Sequence, residues 1–334
     1  MYDPDRIVFL DFVSDALKGN PLGDPTKRLF PVYLPPGYHQ SPARRYPVLW
    51  ALTGFTGQGF SYLYSRYLHA GLHEVLDGLV LDQGMEPAIV AFPDCITKYG
   101  GSQYVNSTAT GRYDDYIVKE LVPLVDQSFR TNGLRGLFGG SSGGIGAFTL
   151  AAKHPDVFHG FADHSGDSGF ESCYLNDIPA FVQAIAKYDY SLENFFEAIP
   201  TIPDPRTEGF DVLINFVGMA SCYGANPDIP LGFEMPFDLY TGEVHWDRWQ
   251  QWRAHDPVNM VEPYADNLRK LRFRYIDCGT RDQYHLYLGA RQLHRKLEAQ
   301  RIAHIYEEYD SDHFILRRHQ ETKSIPLLAK SLSE

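Results

Sequence analysis

At 334 residues the chain is too long for a minimal domain and short enough for one large α/β domain carrying an insertion. A hydrophobic share of 44% with 22% charged residues excludes a largely disordered polypeptide. The formal net charge of −12 argues against nucleic acid and anionic membrane surfaces as partners, because both demand clustered Lys and Arg.

The N-terminal run "MYDPDRIVFLDFVSDAL" mixes acids into its apolar residues and lacks the basic start and unbroken apolar centre of a secretion signal. No stretch approaches the ~18 apolar residues of a membrane span. Cys95, Cys173, Cys222 and Cys278 lie far apart with no C-x-x-C pair, which reads as free thiols of a reducing cytoplasm, a Cys173 to Cys222 bridge staying open.

Strand-like apolar runs bounded by Gly, Pro or Asp follow in order: "LFPVYLP" (29–35), "YPVLWALTG" (46–54), "AIVAFPD" (88–94), "GLFGG" (136–140), "FADHSG" (161–166), "LRFRYIDCG" (271–279) and "AHIYEEYDS" (303–311). Helical spacing appears between them, in "GRYDDYIVKELVPLVDQSF" through Ile117, Leu121 and Val125, and in "HLYLGARQLHRKLEAQ" through Leu286, Leu293 and Leu297. Strands alternating with such helices predict a mainly parallel sheet flanked by helices. The alternation stops between residues 167 and 262, where "PAFVQAIAKY", "LENFFEAI" and "FDVLINFVGMASCY" read as short helices joined by Pro-rich connections. The expected organisation is a core of residues 1–166 and 263–334 with a mostly helical cap over 167–262.

Chemistry is concentrated in "LFGGSSGGIGAF" (137–148), which fits G-x-S-x-G around Ser141 and again around Ser142. The pattern lifts a serine hydroxyl above a sheet on a strained strand-to-helix turn, with glycines where strand and helix nearly touch. Its spacing leaves both serines open.

A hydrolase of this kind places its acid and then its histidine on loops after later strands. Asp282 in "TRDQYH" stands just past "LRFRYIDCG", whereas its rival Asp277 lies within the strand. His313 in "DHF" stands just past "AHIYEEYDS". His294 falls in a helix, His304 at a strand start and His319 in the charged run "LRRHQETK", while His164 follows a strand but precedes the acid. The glycine-rich "WALTGFTGQG" ends an early strand, so the Gly54-Phe55 peptide is the candidate for an oxyanion N–H through Phe55, with an ordinary glycine turn as the alternative.

These segments, together with "VYLPPGYHQSPARRYPVLWALTGFTG" and "GGSSGGIGAFTLAAKHPDVFHGFADHSGD", resemble the esterase family of α/β-hydrolases that includes esterase D (S-formylglutathione hydrolase), enterochelin esterase-like proteins, feruloyl esterases and the antigen 85 mycolyltransferases. The chain is most similar to the enterochelin esterase-like members. The resemblance implies an α/β-hydrolase fold, Ser141 as nucleophile, Ser142 as the second oxyanion N–H, and Asp282 and His313 as its partners. Esterase D proteins carry a cysteine in the loop that reads "TGFTG" here and lack so long a cap, which points away from formylglutathione.

The expected activity is hydrolysis of a small-molecule carboxylic ester through an acyl-enzyme, without cofactor or metal. An acyltransferase would use the same triad, and a homodimer is left open. A non-catalytic binding protein on the same fold is disfavoured because no triad member is missing. Candidate substrate contacts are Gln103 and Tyr104 after a strand end, Asp167 just past "HSG", and Trp246 in "HWDRWQQWR", whose Trp249 and Trp252 follow at three-residue steps. Packing of the cap onto the core is the favoured role for that tryptophan row.

Overall fold

The computed structural model describes residues 6–65, 67, 70–202, 209–314 and 320–333. His319 and part of the connection 200–209 lie outside them.

The central sheet is built from β1 (Ile7–Val13), β2 (Lys27–Tyr33), β3 (Tyr46–Leu52), β4 (Ile89–Ala91), β7 (Thr131–Gly140), β8 (Gly160–His164), β9 (Phe273–Gly279) and β10 (Ile305–Tyr309); β5 (Asn106–Ser107) and β6 (Gly111–Arg112) form a separate small ladder. Its order is β1-β2-β4-β3-β7-β8-β9-β10. β1 and β2 pair antiparallel, β2 meets β4 antiparallel, and every pairing from β4 through β10 is parallel. This is an α/β-hydrolase fold.

The parallel strands read as unbroken apolar runs because both faces are covered. In β3, Val48, Trp50 and Leu52 face one core and Leu49 and Ala51 the other, following the two-residue period of a strand. Helix α1 (Leu72–Asp82) packs Leu72, Leu76 and Leu79 into the second core, beside Leu328 and Leu332 of the C-terminal segment. The first core takes α2 (Val122–Ser128), α3 (Ser142–Lys153) and most of the insertion.

Strand β1 has no counterpart among the expected strands. Its residues alternate between buried or half-buried and exposed, with Phe9 and Val13 open to solvent, and as an edge strand it needs only one face apolar. Asp11, the acid within β1, is exposed on the same side as Phe9 and Val13.

Between β8 and β9 the chain adds no strand to the main sheet among the described residues. It forms helices instead, including α4 (Ile178–Ile185), α5 (Phe210–Tyr223) and α6 (Trp246–Arg253), before α7 (Leu286–Ala299) and the C-terminal α8 (Ile325–Ser331). Among the described residues no helix is long and apolar enough to cross a membrane. All four cysteines are buried and unbridged.

Candidate active site

The turn between β7 and α3 consists of Ser141, with φ 57° and ψ −127°. A side-chain-bearing residue avoids this region, so the conformation is strained and must be held by its surroundings. The Ser141 N–H donates to the His164 carbonyl at 3.0 Å, and the Ser141 carbonyl accepts from Gly144 and Ile145 as α3 begins. Both glycines of the Ser141 register are sterically required. A Cβ on Gly143 would lie 2.2 Å from the Leu52 carbonyl oxygen, and one on Gly139 would lie 2.5 Å from the same atom.

Ser142 is the first residue of α3, is buried, and accepts a hydrogen bond from Gln103 Nε2 at 2.9 Å. Its own N–H is one of the orphan donors that every helix start presents. The β3 loop comes alongside: a Cβ on Gly54 would lie 3.5 Å from Ser141 Cβ, and the Phe55 ring fills the space left by Gly100 and Gly218. Tyr104 OH donates to the Thr53 carbonyl at 2.7 Å, and Thr56 N–H donates to the Gly100 carbonyl at 2.9 Å, so this loop is pinned on both sides.

Asp282 stands just after β9 and His313 after β10, and their side chains meet, Nδ1 to Oδ2, at 2.7 Å. The other Asp282 oxygen accepts the Tyr284 N–H at 2.9 Å, and Gln283 Oε1 accepts the His313 N–H at 3.0 Å. The His313 ring meets Tyr284 edge-on at 4.9 Å between centroids. In the sequence the one signal for Gln283 and Tyr284 is their adjacency to Asp282.

Ser141, Ser142, Phe55, Asp167 and His313 all border one cavity of about 880 Å³. Its lining includes residues of α4 and α5 such as Ala184 and Phe216, with Asp177, Lys187 and Asp211 adding charge. Asp167 is 7% exposed and accepts from Tyr174 OH at 2.9 Å. Burial raises its carboxyl to about 6, against the lowering by the Tyr174 hydroxyl and the nearby His313.

Three expected substrate contacts fall elsewhere. Gln103 and Tyr104 are 2% and 4% exposed and do not line the cavity. Both sit in left-handed backbone at φ 47° and 57°, which turns them into the wall behind Ser142 and Thr53. Trp246 is exposed and also outside the cavity wall, whereas Trp249 and Trp252 are fully buried and stacked at 5.7 Å. Steps of three residues drift on a helix of 3.6 per turn, and α6 begins at Trp246, so its first ring escapes the packed stripe.

The fold and this cavity define an α/β-hydrolase with a serine on a strained elbow. The chain belongs to the Putative esterase family, whose profile matches residues 25–316. Two curated esterases of Mycobacterium tuberculosis are 29% identical over 168 residues, which cover 49% of this chain and 33% of theirs. The chain thus spans about a third of the length of those relatives. Among solved structures, a ferulic acid esterase is 18% identical with a TM-score of 0.62, covering 98% of each chain. An S-formylglutathione hydrolase from Agrobacterium tumefaciens is 17% identical with a TM-score of 0.60, covering 98% of this chain and 95% of its own. A fluorophosphonate-binding serine hydrolase of Staphylococcus aureus is 15% identical with a TM-score of 0.58, covering 97% and 98%.

Proposed function

We propose that the chain is a serine hydrolase of small-molecule carboxylic esters. Ser141 attacks the carbonyl, His313 takes the proton and returns it to the leaving alcohol, and Asp282 holds the imidazole in the tautomer that leaves Nε2 free to accept. The N–H groups of Phe55 and Ser142 receive the oxyanion, and water then cleaves the acyl-enzyme. The observation that carries this reading is the oriented His313–Asp282 pair opening onto the same cavity as the strained Ser141.

Residues 167–262 act as a cap in this reading, since α4 and α5 line the cavity that Ser141 borders. Asp167 is the substrate-facing polar group. A carboxylate beside the oxyanion site disfavours developing negative charge unless the substrate brings a hydrogen-bond donor or cation to it. Asp167→Asn therefore lowers kcat/KM for esters bearing a hydroxyl or amine by about tenfold relative to plain alkyl esters; equal effects on both would remove this role. The four unbridged thiols favour a reducing, cytoplasmic setting, which recovery of the native protein with the secreted fraction would contradict.

The test is intact mass after exposure to a fluorophosphonate, on the native chain and on Ser141→Ala and Ser142→Ala. One adduct, lost only in Ser141→Ala, is expected. A native chain that takes no adduct and turns over no short p-nitrophenyl ester sinks the proposal.

A further inference from the structure

A second set of side chains stands in Ser-His-Asp order, outside the cavity. Ser324 Oγ lies 2.9 Å from His164 Nε2, and His164 Nδ1 lies 2.8 and 2.9 Å from the two oxygens of Asp277. All three residues are buried, none lines the cavity, and an ester therefore has no access to the Ser324 hydroxyl. With Nδ1 donating to the carboxylate, a neutral ring leaves Nε2 to accept from Ser324.

Each neighbour of His164 leads to a different part of the proposed triad. Its carbonyl receives the Ser141 N–H, at the one backbone position where the elbow is strained. Asp277 is its cross-strand partner in β9, the strand whose end presents Asp282, and the Ser165 N–H adds a bond of 2.8 Å to the Asp277 carbonyl. Ser324 stands at the start of α8, on the segment that follows His313. The segment before His313 reaches the same carboxylate, because the hydroxyl of Tyr309 at the end of β10 lies 3.3 Å from Asp277 Oδ2 and 2.8 Å from Glu307 Oε2. Glu307 in turn pairs with Lys323, the residue before Ser324.

We propose that His164 is a positioning residue for the esterase reaction, holding the nucleophile turn, the acid strand and both flanks of the histidine loop in one register. The inference rests on reading Ser141, Asp282 and His313 as the triad. Those residues lie on three loops that no covalent link aligns, and a misplacement of about 1 Å costs on the order of 10²-fold in rate. Apolar packing tolerates small sliding between elements, whereas a buried hydrogen-bonded chain is satisfied at one relative placement. His164 reaches the nucleophile turn through its carbonyl, β9 through Nδ1 and the start of α8 through Nε2.

The experiment measures kcat, KM, the second-order rate of fluorophosphonate labelling and thermal unfolding for Ser324→Ala, Asp277→Asn and His164→Phe. Ser324→Ala is nearly isosteric and removes one arm. It is expected to lower kcat and the labelling rate together by about tenfold, with KM and the unfolding midpoint little changed. Asp277→Asn keeps an acceptor for Nδ1–H and is expected to stay within about threefold of the native kcat. His164→Phe keeps ring volume and loses both side-chain arms, so kcat per folded molecule should fall on the order of 10²-fold. Native kcat per folded molecule in Ser324→Ala would overturn the proposal and reduce the network to a stability device, and this variant decides the matter alone if His164→Phe does not fold. A native chain that neither hydrolyses esters nor takes the label would overturn the triad reading as well, a result distinct from unaffected variants.

Discussion

The amide of Gln103 donates to the hydroxyl of Ser142 at 2.9 Å, so the second serine of the elbow has its side chain tied into the wall while its N–H faces the helix start. The neighbouring Ser141 borders the cavity in strained backbone. The two serines are therefore expected to respond differently to the same substitution. Ser141→Ala should cost about 10⁴ to 10⁶ in kcat, and Ser142→Ala less than about tenfold because its backbone donor survives. Steady-state kinetics on a p-nitrophenyl ester checks this, and equal losses would undo the assignment of roles.

Asp282 has both oxygens engaged, one by His313 and one by the Tyr284 N–H. Asp282→Asn preserves shape but presents an amide where Nδ1–H needs an acceptor of charge. A fall in kcat of about 10⁴ with KM nearly constant is expected. A loss confined to KM would instead make Asp282 a binding residue.

The Asp167 carboxyl has an ordinary value of 3.8 and is raised by burial to about 6 in the folded chain. Over pH 4 to 6 the folded protein therefore keeps a proton that the unfolded chain has released. Stability from this group is present below about pH 4 and declines as pH rises through about 6, by up to ~3 kcal/mol. Asp167→Asn lacks the effect, so its melting temperature should gain on the native value as pH rises across that window. Melting curves that stay parallel from pH 4 to 8 would contradict the burial argument.

Gly143 and Gly144 are fixed by contact rather than by turn geometry. A Cβ on Gly144 would fall 2.4 Å from Asp163 Oδ1 and 2.8 Å from Gly166 Cα, and one on Gly143 would fall 2.2 Å from the Leu52 carbonyl oxygen. Alanine at either position is expected to destabilise the chain by about 2 to 3 kcal/mol and to displace Ser141. Urea unfolding and phosphonate labelling measured together test both parts.

The tryptophan row of α6 divides at its first member. Trp252→Ala removes a fully buried ring that meets Trp249, Tyr174 and Tyr223, at an expected cost of about 3 to 5 kcal/mol. Trp246→Ala should lie within about 0.5 kcal/mol of the native chain, since that ring is exposed. Comparable losses at both would show that Trp246 is covered in solution.

Much of this architecture is local in origin and was legible in the sequence. Apolar runs cut by Gly, Pro and Asp mark the parallel strands because strands buried on both faces tolerate few polar residues. Gly139 and Gly143 mark the elbow because a strand and a helix that nearly touch leave no room for Cβ. Asp282 and His313 follow from chain order, since each stands just past a strand end and parallel strands deliver their ends to one edge. Other assignments depend on contacts between distant segments. Which serine takes the strained turn is expressed in φ and in a bond from Ser141 to His164, and neither is visible in a doubled G-x-S-x-G motif. His164 and Asp277, rivals for the triad by sequence position, find each other in cross-strand register, and Ser324 completes their bonds from the far end of the chain. Gln103 and Tyr104 turn into the wall through left-handed backbone that no residue preference announced. Strand, helix and turn preferences act over a few neighbouring residues, whereas the partner of a buried polar group is chosen by whichever segment the assembled sheet brings within hydrogen-bond reach.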